Sequence, residues 1–196
     1  MPIAFSILED KRVVLRPLRE EDFTHLITFF LNEPTLWKYS LVSAAGETGL
    51  KNYIKLALEG KASGKEYPWI VFDKRTNEYA GSTRFYDINF AFKTLQLGYT
   101  WYGKKFQGTG LNKHCKYLLL SFAFEELGME RVEFRADNNN ERSIVAMKSI
   151  GCKVEGILRS NMPTRKEGIR RDSIILSILK DEWFAAVKEN LKAKLI

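Results

Sequence analysis

Histidine and cysteine are scarce in this 196-residue chain, with two of each. Neither His25 nor His114 stands at metal-ligand spacing from a cysteine or carboxylate, which disfavours metal catalysis. His114 and Cys115 are neighbours in an expected helix, where adjacent side chains diverge, so a Cys–His nucleophile pair is disfavoured too. Cys115 and Cys152 read as reduced, small core residues rather than a disulfide. No apolar run approaches the roughly 18 residues that a bilayer span needs. The opening "MPIAFSILEDKRVV" reaches Glu9 and Asp10 where a signal peptide is still hydrophobic. A cytoplasmic setting without a membrane partner is therefore expected. There is no run of five like charges, no internal repeat and no low-complexity linker, so one domain spanning residues 1–196 is expected.

What the chain has is a core and a positive charge. Apolar residues make up 45% of it, and its net charge is +7. The charge favours anionic partners without separating RNA from a nucleotide-bearing cofactor. Mild clusters fall at Lys104, Lys105, Lys113 and Lys116, and at Arg165, Lys166, Arg170 and Arg171.

Periodicity gives the order of elements. "RVVLRPL" (12–18) is a strand. "REEDFTHLITFFLN" is a helix with acids in its first turn, and "ETGLKNYIKLALEGKASG" is a second helix with Leu50, Ile54 and Leu58 on one face. "YPWIVFDKRTNEYAGSTRFYDI" is two strands around "KRTNE". "TLQLGYTWYG" is a third strand, expected to set Leu95, Leu97, Tyr99 and Trp101 on one side. A helix follows over about 109–127, then the strand "GMERVEFRAD". "NNNERSIVAMKSIG" is a helix closed by Gly151. "CKVEGILRS" and "RRDSIILSIL" are strands joined by the hairpin-like "NMPTRKEGI", and "DEWFAAVKENLKAKL" is a terminal helix. The expected class is α+β: a mixed, mostly antiparallel sheet with helices on both faces.

The stretch "GKKFQGTGLNKHCKYLLL" (103–120) carries the chemistry. A glycine-rich turn opening onto a helix offers unpaired N–H groups and partial positive charge to an anion. A P-loop would need Lys where Thr109 stands, and a Rossmann fingerprint would need Gly where Lys113 stands. What fits is a shorter pattern, Lys105-Phe106-Gln107-Gly108-Thr109-Gly110. With it the chain resembles the GNAT superfamily of acyl-CoA-dependent N-acyltransferases, in particular the branch of ribosomal-protein N-terminal acetyltransferases. "DNNNERSIVAMKSIGCKVEGILRS", with Asn140 and Ser143, and "RRDSIILSILKDEW" extend the likeness over nearly the whole chain.

The resemblance implies one GNAT-type domain that uses acetyl-CoA and acetylates an amine. It implies that Lys105, Gln107, Gly108, Thr109, Gly110, Leu111, Asn112 and Lys113 hold the pyrophosphate. The backbone of Tyr99, Thr100 and Trp101 would run along the pantetheine arm. Asn140 would orient that arm, with an N-cap role equally open. Ser143 would stand near the thioester sulfur and protonate the departing thiolate. Lys105 departs from the commoner Arg or Gln at its position, which leaves open which side chain meets which phosphate. Lys113 and Lys116, in the first turns of the helix, oppose its dipole and are expected to meet the 3′-phosphate. Glu133, Asp137 and Glu155 are candidate general bases, each better read as a salt-bridged surface carboxylate, and Asp87 could equally anchor the substrate amine. The acceptor is a small-molecule amine or a protein N-terminal α-amine, with the first 66 residues lining its side of the cleft. The alternatives are a basic RNA- or ribosome-binding module, and a catalytically inactive acyl-CoA-binding protein. RNA-binding signatures are missing, so nucleic acid is disfavoured as a partner. A homodimer stays open.

Overall fold

The computed structural model describes residues 6–41, 46–165 and 167–195. Residues 1–5 of the opening stretch, and Lys166 of the expected hairpin loop, lie outside them. In chain order come β1 (Leu8–Glu9), β2 (Val13–Pro17), α1 (Phe23–Asn32), α2 (Gly46–Ala62), β3 (Tyr67–Asp73), β4 (Glu78–Asn89) and β5 (Thr94–Tyr102). Then follow α3 (Leu111–Ser121), β6 (Arg131–Asp137), α4 (Glu141–Ser149), β7 (Lys153–Pro163) and β8 (Arg170–Leu179). The terminal helix runs from α5 (Lys180–Glu182) through a π-type turn, Trp183–Val187, into α6 (Lys188–Lys192). A similar π-type turn, Phe122–Glu126, extends α3.

The strands form one sheet in the order β1-β2-β3-β4-β5-β6-β8-β7. Every neighbouring pair is antiparallel except β5–β6. The sheet is therefore mixed and mostly antiparallel, as the sequence predicts. β1 is the strand that the sequence reading lacks. Two residues are too few to show a period, and they are held by pairing Leu8 with Leu15 and Glu9 with Val14.

The helices follow their apolar stripes. Leu26, Phe29 and Phe30 of α1, Leu50, Ile54 and Ala57 of α2, and Leu111, Cys115 and Leu119 of α3 are buried at helical spacing. Phe30 meets the Trp101 ring edge-on at 5.4 Å, so α1 lies on the Trp101 face of the sheet. Side chains on a strand alternate faces. Thr100 and Tyr102 accordingly reach α3 on the other face, where Thr100 meets Lys116 and Tyr102 meets Asn112.

Strand β5 corrects one expectation. Leu95, Leu97 and Trp101 are buried, but Tyr99 is 49% exposed and does not share their environment. Between the pairs Ser82↔Trp101 and Arg84↔Gly98, β4 advances two residues and β5 three. Tyr99 takes up the extra residue with φ +48°, a left-handed conformation rare for a non-glycine residue. The bulge resets which face each later side chain meets, and a strict two-residue period cannot foresee it.

The second departure from a regular sheet positions the site. β5 and β6 pair in parallel only at Thr94–Gln96 with Arg131–Glu133. Beyond that, β5 stays with β4 up to Gly81↔Tyr102, and β6 stays with β8 up to Asp137↔Ser173. The two strands diverge, leaving a wedge between 97–102 and 134–137 where each strand has an unmatched backbone edge.

Candidate functional site

The wedge has a turn and a helix at its mouth. β5 ends at Tyr102, and Lys104–Phe106 form one 3-10 turn before the glycines. Gly108 and Gly110 have φ +75° and +87°, where a Cβ would be strained. A Cβ built on Gly108 would meet nothing within 4 Å, so the space above the turn is open. Gly110 is the N-cap of α3 and supplies no side-chain cap, so the first N–H groups of the helix have no side-chain acceptor. The turn is braced from below. Thr109 Oγ1 donates to the Phe106 carbonyl at 2.8 Å, and Gln107 Nε2 to the Tyr102 carbonyl at 2.8 Å. Arg12 joins Asp73 in a buried ion pair at 2.8 Å and sets Nη1 3.5 Å from the Thr109 carbonyl. Burial works to raise the Asp73 pKa, but the Arg12 guanidinium and the Arg75 amide outweigh it and hold the carboxyl below its usual value.

The expected phosphate-side residues are together here, and their surroundings qualify what each can offer. The Lys105 ammonium is paired with Glu78 at 2.5 Å. Lys113 lies in the first turn of α3 and is half-buried. Leu111 is fully buried and contributes only its backbone, while Asn112 Oδ1 accepts from the Tyr102 hydroxyl at 3.2 Å.

Lys116 is a correction. It is 5% exposed, and its ammonium donates to Thr100 Oγ1 at 2.8 Å beneath the sheet, so it does not face a solvent-side phosphate. Helical periodicity placed it on α3 but did not show that its stem crosses the apolar face between Cys115 and Leu119.

On the β6 side of the wedge, Asn140 is the N-cap of α4. Its Oδ1 accepts from the Ser143 N–H at 3.2 Å, which establishes the cap role; its amide Nδ2 is not used in that bond. Ser143 is half-buried in the first turn of the same helix. Arg142, which the sequence reading passed over, donates to the Gln107 side chain and ties α4 to the glycine turn. The signal for it was an arginine one residue from Ser143, indistinguishable in sequence from a solvated helix cation.

The expected acids are all engaged. Glu133 takes Arg131 and Arg135, at 3.0 and 2.7 Å. Glu155 takes Arg131 and the Ser177 hydroxyl. Asp137 accepts from the Asn139 backbone and side chain, and Asp87 from Gln96. Trp101 packs among Phe29, Phe30, Trp37 and Tyr53, and only its backbone reaches the wedge. Two contacts close the opposite wall. The Tyr39 hydroxyl donates to the Asn139 carbonyl at 2.9 Å, and Arg165 Nη2 to the Trp37 carbonyl at 2.5 Å.

The splayed parallel pair, the glycine turn and the start of α3 without a side-chain cap stand together at one end of the sheet. Residues 12–153 match the family described as acetyltransferase (GNAT) domain. The chain belongs to that family and is an N-acetyltransferase of it. It is 31% identical over 103 residues to the Bacillus subtilis protein named "Putative ribosomal N-acetyltransferase YdaF", a match covering 53% of this chain and 55% of that one. The crystal structure of a GCN5-related N-acetyltransferase from Brucella melitensis superposes with a TM-score of 0.89 at 24% identity, covering 100% of this chain and 88% of that one. Mycobacterium smegmatis RimJ in complex with CoA-disulfide superposes with a TM-score of 0.78 at 18% identity, covering 92% and 88%. At those identities the two structures establish the shared fold.

Proposed function

We propose that residues 1–196 act as one domain that transfers the acetyl group of acetyl-CoA directly to an amine while both are bound. The observation that carries this reading is the β5–β6 wedge, whose unmatched backbone edges suit an extended arm bearing amides. At its mouth, the amides of residues 107–113 and the α3 dipole suit a pyrophosphate, and the open space over Gly108 leaves room for it. Lys113 and Arg142 add positive charge near that end, and Lys105 would add its own on leaving Glu78. RimJ, with the same fold, holds a coenzyme A derivative.

Acetyl-CoA supplies an acyl thioester for an amine to attack. In this reading the backbone of Tyr99, Thr100 and Trp101 pairs with the arm, and Asn140 holds it through the amide Nδ2 left over from capping. The Ser143 hydroxyl donates a proton to the departing thiolate, whose ordinary pKa is near 8.5.

The acceptor side favours an α-amine. Each nearby acid is already ion-paired or hydrogen-bonded, so a strong dedicated base is not on offer. An α-amine, with a pKa near 8, is partly neutral at neutral pH, whereas a lysine amine near 10.4 needs far more help. YdaF, named "Putative ribosomal N-acetyltransferase", supports a ribosomal component as the source of the amine.

The test is turnover of acetyl-CoA against N-terminal peptides, small amines, polyamines and lysine peptides. The reading expects the α-amine panel to turn over fastest. Exclusive use of lysine ε-amines would overturn the acceptor assignment, and no turnover with any amine would overturn the transfer.

A further inference from the structure

Lys116 is a buried cation that the reaction as described does not use. Its Nζ lies 2.8 Å from Thr100 Oγ1 on β5 and 5.9 Å from the Phe134 ring centre on β6. Thr100 and Phe134 stand on opposite sides of the wedge, past the last paired residues, Gln96 and Glu133. The ammonium therefore sits under the opening, on the α3 face. It has three N–H donors, and among the described residues the Thr100 hydroxyl is its one hydrogen-bond acceptor. Thr100 Oγ1 lies 2.7 Å from Thr83 Oγ1, so the hydroxyl that receives Lys116 is itself held by a second hydroxyl.

Among the described residues no carboxylate offsets the charge. The titratable groups beside Lys116 are Cys115 on its own helix and Cys152 after α4, with Tyr102 of β5 next to Cys115. Burial pushes both thiols up to about 12, so they are neutral at physiological pH. Burial likewise pulls the Lys116 ammonium down to about 8. An ammonium with two open donors and no counter-ion is costly. A polar ligand entering the wedge would complete its shell.

We propose that Lys116 is a floor anchor for the acyl-pantetheine arm, its two open N–H donors taking carbonyl oxygens of that arm from beneath the β5–β6 wedge. The inference rests on the placement of the arm proposed above. It assigns this lysine to neutral carbonyls rather than to a phosphate, and makes it a positioning residue, with no covalent step of its own. Carbonyl acceptors favour the charged ammonium, so binding must draw a proton onto Lys116 wherever it is partly neutral.

The test uses calorimetry with no amine acceptor present. K116M keeps the stem length and removes the donors. The variant is expected to bind acetyl-CoA about tenfold or more weakly, while its affinity for adenosine 3′,5′-bisphosphate, which lacks the arm, stays within about twofold. At pH 8.5, titrations in two buffers of different ionisation enthalpy should show proton uptake with acetyl-CoA by the wild type and less by K116M. The wild-type measurement stands even if the variant folds poorly. Unchanged acetyl-CoA affinity in K116M, or no proton uptake by the wild type, overturns the inference and leaves the transfer reading intact. Equal losses for both ligands would mean that Lys116 supports the whole site rather than the arm, and overturn it too. A wild type that binds the bisphosphate but gains nothing from the arm refutes the wedge placement itself.

Discussion

At the residue scale, the buried charges have signs that can be checked. The Lys116 pKa is near 8 in the folded chain against an ordinary 10.5. Below pH 8 both folded and unfolded chains hold the proton, and the full cost of burying it, on the order of 3 kcal/mol, is in force. Between 8 and 10.5 the folded chain has released a proton that the unfolded chain still binds, so this group's contribution to stability rises with pH. K116M should therefore be more stable than wild type by about 2 kcal/mol at pH 7, after losing the Thr100 hydrogen bond, and its advantage should fade by pH 10. Urea denaturation at the two pH values checks this; an advantage that does not change with pH would show that ionisation is not its source.

Ser143 gives the residue-scale test of the chemistry. S143A should lower kcat by about 10- to 100-fold, with the affinity for acetyl-CoA and the melting temperature nearly unchanged. An unchanged kcat would remove it as the proton donor. Arg12 is structural by contrast. R12M would leave Asp73 buried and unpaired and loosen the Thr109 carbonyl, costing about 3–5 kcal/mol in urea denaturation.

At the scale of elements, the glycine turn separates ligand binding from stability. Gly108 is left-handed but surrounded by open space, so G108V meets backbone strain and no clash. It should cost about 1–2 kcal/mol in stability yet abolish the rise in melting temperature with acetyl-CoA, because the new side chain takes the ligand's room. A retained shift in a folded G108V would put the pyrophosphate elsewhere.

The same scale shows what a sequence can carry. α1, α2 and α3 were legible because their apolar residues repeat locally, and Asn140 as a cap and Gly151 as a closure marked α4. β1 was not, because it exists only through pairing with β2. The Tyr99 bulge was not, because nothing local marks the extra residue. The wedge was not read from periodicity either, since it depends on where β5 and β6 stop pairing. The strand-to-helix turn at Gly108 and Gly110 could be read from its glycines, whereas its use as an anion cradle rested on the family resemblance. Lys116 could not be read correctly, because a lysine in a helix looks solvated until the sheet beneath it is known.

At the scale of the whole molecule, two distant contacts brace the wall proposed to face the acceptor. Tyr39 joins the N-terminal region to the β6–α4 loop, and Arg165 joins the β7–β8 hairpin to Trp37. Y39F and R165A should raise the acceptor KM several-fold while leaving acetyl-CoA affinity within about twofold, measured by steady-state kinetics and calorimetry. Equal effects on both ligands would mean that the two halves of the cleft are not separable. Among the described residues no helix is long and apolar enough to cross a membrane.

All of these effects converge on one geometric idea, that the opening between β5 and β6 receives an extended thioester-bearing arm. Hydrogen exchange of the wild-type protein with and without acetyl-CoA tests it most directly. Slowed exchange confined to amides in 97–102 and 107–113, with the far edge strand β7 unchanged, is the predicted result. Protection at 107–113 with none along 97–102, or protection elsewhere only, would contradict it.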